Sequence, residues 1–167
     1  MDLAVRDRTI DAYDRRILEA LLADGRLSVT ALAARVGLSK TPTQVRLKRL
    51  QDAGIILGFR AVVDPAWSGE DHVAFAEVKL SDTREVALES FNTGVRAIRE
   101  VESCHLIAGA FDYLLKVRTR DVRAYRRVLG ERISALPYVA STSTYVAMET
   151  VKDALLAGGR NGLPPSG

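Results

Sequence analysis

Apolar positions in the first third of the chain recur at helical spacing. Ile17, Leu18, Leu21 and Leu22 form one stripe behind Asp11, a residue type that caps helix N-termini, and Asp24-Gly25 stops the run. The pattern predicts a short amphipathic helix. Ser28 heads a second stripe of Leu32, Ala33 and Val36, which Gly37 can end with left-handed backbone angles. Thr41-Pro42 reads as an N-cap followed by proline at the first helical position, predicting a third helix that runs to Asp52. The stretch Ile55 to Val63 is β-prone and broken by Gly58, which predicts a small ribbon. Three helices and a ribbon make a winged helix.

From Asp64 to Asp71 turn formers and acids show no periodicity, which predicts a linker. Alternation then sets in. Val73–Leu80 reads as a strand, Glu85–Ile98 as a helix through Val86, Leu88, Phe91 and Val95, and 101–107 and 113–117 as two strands around a Gly109-containing turn. Asp121 caps a helix through Tyr125, Val128 and Ile133, and Val139–Met148 is a β-branched last strand. The order βαββαβ is the ferredoxin-like arrangement. The expected fold is α+β: a winged helix-turn-helix domain over 1–63, a linker over 64–71, a ferredoxin-like domain over 72–152, and a glycine- and proline-rich tail over 153–167. The apolar second faces of strands 73–80 and 139–148 further predict pairing with a second copy.

Composition narrows the function. The 167 residues are 47% apolar and 27% charged, a soluble balance, and no apolar run approaches the ~18 residues of a membrane span. Asp2, Arg6, Asp7 and Arg8 interrupt any leader-like stretch, so a cytoplasmic protein with no membrane partner is expected. Cys104 is the single cysteine and His72 and His105 the two histidines. Because Cys104 and His105 are adjacent on a strand and point to opposite faces, neither a metal site, a cofactor nor a catalytic dyad is expected. Charge is uneven. Residues 1–66 hold eleven basic and eight acidic side chains, and between Arg26 and Arg60 seven basic ones face Asp52 alone. That suits a polyanion, or equally a solvated basic face.

The third helix sharpens this. At 100° per residue Thr43, Leu47, Leu50 and Gly54 share one side, while Thr41, Val45, Lys48, Arg49 and Asp52 lie opposite, flanked by Gln44 and Arg46. Cations can take phosphates or guanine edges, Gln44 can bond adenine, and Val45 can touch a thymine methyl. A preceding helix with a tight Gly37 turn makes this a helix-turn-helix, and Arg60 on the ribbon can hold a flanking phosphate. Double-stranded DNA is the expected partner, with Ser39, Lys40, Thr41, Thr43, Gln44, Val45, Arg46, Lys48, Arg49 and Arg60 as candidate contacts.

Asp24-Gly25-Arg26, Val36-Gly37-Leu38-Ser39, Thr41-Pro42, Arg46-Leu47-Lys48-Arg49-Leu50 and Gly54-Ile55-Ile56-Leu57-Gly58-Phe59 resemble the DNA-binding domain of the Lrp/AsnC family. Residues 109–117, 125–130 and 144–149 resemble its effector domain. The resemblance implies a transcriptional regulator of amino-acid metabolism, a dimer assembling into a ring of four dimers, and a small amino acid bound where dimers meet. Carried over, the effector residues are His105, Gly109, Asp112, Val122, Val146 and Ala147, with Thr144 extrapolated. Asp112 can accept the ligand's ammonium, or can be a turn residue bonding backbone. Val117–Asp121 and Ser141–Tyr145 resemble proline-responsive members, so proline is the first expected effector and leucine the second; small Ala108, Ala110 and Ala147 favour the compact ring. The rival expectation is an amino-acid-binding assembly protein without a specific operator.

Overall fold

The computed structural model describes residues 10–153, so the expected tail lies, from residue 154 on, outside the described residues. The chain divides into two compact units, Met1–Ala61 and Val62–Gly167.

In the first unit α1 spans Ala12–Ala23, α2 Val29–Val36 and α3 Lys40–Asp52. A reciprocal capping box starts α1: the Asp11 carboxylate accepts the Asp14 N–H at 2.9 Å and the Asp14 carboxylate accepts the Asp11 N–H at 3.1 Å. Ser28 Oγ accepts the Ala31 N–H at 3.1 Å to start α2, and Gly37 ends it at φ 76°. Ile17, Ala20, Leu32, Val36 and Leu50 form the core the three helices share.

Two expectations fail here. Helix α3 begins two residues earlier than Thr41-Pro42 suggests. Ser39 is its N-cap, and the Ser39 carbonyl accepts both the Thr43 N–H (3.3 Å) and the Thr43 hydroxyl (2.9 Å). Pro42 therefore sits deeper in the first turn, where a missing N–H is still harmless. The ribbon does not form: among the described residues no strand lies between Asp52 and His72. A ribbon needs two runs that pair, and the single run Ile55–Val63 is broken at Gly58 (φ 156°). The expected linker instead contains a one-turn helix, α4, at Pro65–Ser68.

The second unit holds β1 (His72–Leu80), α5 (Glu85–Arg96), β2 (Val101–Leu106), β3 (Tyr113–Thr119), α6 (Val122–Val128) and β4 (Val139–Val146). The sheet order is β2-β3-β1-β4, antiparallel throughout. Ala74, Ala76, Val78 and Leu80 of β1, with Tyr113, Leu115 and Val117 of β3, bury one sheet face against Phe91 and Val95 of α5 and Tyr125 and Val128 of α6. The Phe91 and Tyr113 rings lie 4.4 Å apart. After α6 the backbone widens into a π-turn over Leu129–Ile133, where the Ser134 N–H donates to the Leu129 carbonyl.

The opposite sheet face is mixed rather than apolar. In register it places Phe75, Glu77 and Lys79 beside Tyr145, Ser143 and Ser141, and Lys116 pairs there with Glu102 and Asp153. Alternation in β1 and β4 is too imperfect to make a continuous apolar sheet surface.

Candidate nucleic-acid interface and effector site

Helix α3 packs its Thr43, Leu47 and Leu50 side inward, with Thr43 and Leu50 fully buried. Thr43 is thereby corrected as a DNA contact: it is 0% exposed and its hydroxyl is spent on the Ser39 carbonyl. Lys40, Thr41, Gln44, Val45 and Lys48 are exposed and span an arc of about 140° on the outer side, with Ser39 exposed just ahead of them. Lys48 stands nearest its centre, with Gln44 beside it. Lys48 forms only a solvent-exposed i,i+4 pair with Asp52 at 2.9 Å.

Arg46 and Arg49 behave differently. Arg46 Nη1 reaches Asp11 at 2.5 Å and Asp14 at 3.0 Å, and Arg49 pairs with Asp14. Asp14 has no exposed side-chain surface, so these two arginines are the counter-charges of a buried carboxylate and tie α3 to the start of α1. Arg46 also lies over the Tyr13 ring, 5.6 Å from its centre. The sequence signals were present as Asp11-x-x-Asp14 ahead of an apolar run and Arg46-x-x-Arg49 one face away from Leu47 and Leu50. Arg60 is exposed in the strandless segment after α3, so no ribbon presents it.

Burial disfavours the charged form of Asp14, but the Asp11 N–H and then Arg49 and Arg46 outweigh it and hold the carboxyl below its ordinary value of 3.8. A depressed folded value contributes stability above the unfolded value and loses it as pH falls through the folded one. Melting temperature is expected to be steady from neutral pH to about 5 and to fall below about 4 as the clamp protonates. A melt unchanged down to about pH 2 would rule the clamp out as a source of stability.

The second unit separates the effector candidates into two groups. Asp112 follows the β2–β3 turn, where its N–H donates to the Val78 carbonyl (3.0 Å) and its carboxylate accepts the Leu80 N–H (2.7 Å). It staples the end of β1, as a turn residue would. His105 and Gly109 lie exposed at the same end of the sheet. Val146 pairs with Ala74, and the Ala147 N–H donates to the Val73 carbonyl, at the opposite end of β1. Thr144 Oγ1 meets the Tyr125 hydroxyl at 2.7 Å, and Val122 is exposed where α6 begins. The turn and Val146-Ala147 therefore do not adjoin within one chain. Both β3 and β4 run antiparallel to β1, but the turn opens β3 whereas Val146 closes β4, leaving the two groups roughly 20 Å apart.

Cys104 packs against the core, and burial pushes its thiol up to about 11, so it is an apolar filler at neutral pH. Among the described residues no group of three or more His, Cys, Asp and Glu side chains could hold a metal ion.

A helix-turn-helix with a polar outer recognition face, joined to a ferredoxin-like sheet with exposed candidate ligand groups, is the plan of a ligand-responsive DNA-binding regulator. Family models agree in both halves: a winged helix-turn-helix DNA-binding model matches residues 10–56 and an Lrp/AsnC ligand-binding-domain model matches residues 73–156. The chain belongs to the Lrp/AsnC family and is a DNA-binding transcriptional regulator of that type. It is 69% identical over 144 residues to the proline dehydrogenase transcriptional activator of Rhizobium radiobacter, covering 86% of this chain and 92% of that protein. It is 44% identical over 145 residues to the leucine-responsive regulatory protein of Escherichia coli K12, covering 87% and 88%. Among solved structures, a transcriptional regulator from Neisseria meningitidis in complex with L-Met superposes with a TM-score of 0.78 at 32% identity, covering 87% of this chain and 94% of that one. These relatives are transcriptional regulators rather than enzymes.

Proposed function

We propose that this regulator reads double-stranded operator DNA with the outer face of α3 and answers to proline, controlling a gene for proline dehydrogenase. The observation that carries the reading is the 69% identity to a proline dehydrogenase transcriptional activator across nearly the whole of both chains. Lys40, Thr41, Gln44, Val45 and Lys48 supply base and phosphate contacts, with Ser39 at the helix start. Arg46 and Arg49 act first as the clamp on Asp14. No metal or prosthetic group is assigned.

For the effector, His105, Gly109 and Asp112 from one copy and Val122, Thr144, Val146 and Ala147 from another form the pocket. This arrangement is supported by their separation within one chain and by the exposure of Val122 and Val146. The working form is then a homodimer built up to a ring of four dimers. No helix among the described residues is long and apolar enough to cross a membrane, which accords with a cytoplasmic site of action.

Calorimetry with proline and leucine, together with gel shifts on the region upstream of a proline dehydrogenase gene, tests the reading. The expected result is proline binding at saturable stoichiometry and a proline-dependent change in the DNA complex. Tighter leucine binding would reassign the effector. Absence of specific DNA binding over non-specific background at matched salt would leave only an amino-acid-binding assembly protein.

A further inference from the structure

Residues 67–167 carry equal numbers of opposite charges, yet the charges are sorted. Residues 67–167 hold thirteen basic and thirteen acidic side chains, but Arg118 to Arg132 contains six arginines against Asp121 and Glu131. The remainder of residues 67–167 is therefore acidic, with seven basic side chains against eleven acidic. Two of the six arginines are neutralised, Arg118 by Glu102 and Arg132 by Glu100 at 2.6 Å. The other four, Arg120, Arg123, Arg126 and Arg127, are exposed and form no ion pair among the described residues.

Helical geometry explains their alignment. Tyr125 and Val128 bury one side of α6, and at 100° per residue Arg123, Arg126 and Arg127 fall within about 100° of each other on the other side, with Arg120 just ahead of the Asp121 N-cap. Asp121 at the start of the helix has its carboxylate engaged as the N-cap, accepting the Ala124 N–H at 2.7 Å, and Glu131, which lines one recess with Arg127, forms no ion pair with it. Arg120 and Arg127 also wall a recess of about 560 Å³ whose far side holds the Arg99–Glu70 and Arg132–Glu100 pairs. Paired and unpaired guanidinium groups thus stand side by side, and the unpaired ones face outward.

We propose that the arginine face of α6 is a second, sequence-independent contact for double-stranded DNA, gripping the phosphates of duplex that flanks the site read by α3. Charge complementarity selects the occupant. The outward guanidinium groups of Arg123, Arg126 and Arg127 suit a phosphate backbone, and the exposed Val122 lies at the edge of their arc rather than within it. Each phosphate neutralised releases counterions, so the contact has a signature that a mere solvated face lacks.

The test uses the full chain and two duplexes, one of about 20 base pairs holding the recognition site alone and one of about 60 base pairs with flanks. Substituting Arg123→Ala, Arg126→Ala and Arg127→Ala together is expected to weaken the long-duplex complex at least about tenfold at 0.1 M salt. The slope of log K against log salt should become shallower by roughly two to three units on the long duplex, leaving the short duplex unchanged. Arg123→Lys, Arg126→Lys and Arg127→Lys together should restore the slope, because a phosphate accepts either cation. Equal affinity and slope on the long duplex overturn the proposal. So does an equal loss on both duplexes, or a change in oligomeric mass by light scattering, which would place the arginines in an interface between copies.

Discussion

Alanine at Gln44 and Lys48 is expected to cost the DNA complex roughly 1–3 kcal/mol per lost base contact while leaving the melting temperature unchanged. Both side chains stand on the exposed arc of α3. Among the described residues their only intramolecular tie is the Lys48–Asp52 pair on the same helix, worth about 0.2–0.5 kcal/mol. The two substitutions should separate by kind. Gln44→Ala removes a bidentate reader and relaxes sequence discrimination, whereas Lys48→Ala weakens all sequences alike and lowers the salt slope by about one unit if it meets a phosphate. Gel shifts across a set of single-base operator variants at two salt concentrations make the distinction. Unchanged affinity in the double variant would move the docking face off α3.

The largest stability effect belongs to the neighbouring arginines. Replacing Arg46 and Arg49 with alanine together strips both cations from a carboxylate with no exposed surface, and the loss is expected to reach about 3 kcal/mol. Either single variant leaves Asp14 one cation and the Asp11 N–H, so each alone should cost clearly less than half of the double. Denaturant melts of the wild type, the singles and the double close the cycle. Additive losses would show two independent surface pairs rather than one shared clamp. Loss of DNA binding in Arg49→Ala therefore has two physical routes. Comparing it with Lys48→Ala, one residue away and unclamped, tells them apart.

What could be read in advance was local. Asp11, Ser28, Gly37 and Asp121 each announce a helix boundary through a side chain or backbone preference that acts within four residues, and each stands where its chemistry requires. The start of α3 was misplaced because Pro42 is tolerated throughout a first turn, so proline alone cannot fix which residue precedes it. The Arg46 and Arg49 clamp was missed for a different reason. Winding one helix shows which residues face outward from its own core, but not that a second helix end with a buried acid waits there. Winding α3 at 100° per residue places Thr43 on the buried side, which conflicts with a contact role for it. The separation of Asp112 from Val146 follows from the ferredoxin-like strand order itself. It required tracing which end of β1 each partner strand begins or finishes on, a step that composition and motif cannot replace.

The order β2-β3-β1-β4 also sets a sequence of events in synthesis. The three N-terminal helices are complete once residue 56 has left the ribosome, and β2 with β3 is a short-range hairpin. By contrast Ala74 of β1 must wait for Val146 of β4, seventy-two positions later. Closing a loop of that length carries the largest closure entropy of the sheet's pairings, so a nascent regulator is expected to own a finished DNA-reading head while one flank of its central strand is still bare. During that interval the open edge of β1 is a template for a neighbouring nascent chain on the same message. Pulsed hydrogen exchange during refolding should show β2–β3 amides protected before those of β1–β4, and simultaneous protection would remove this hazard.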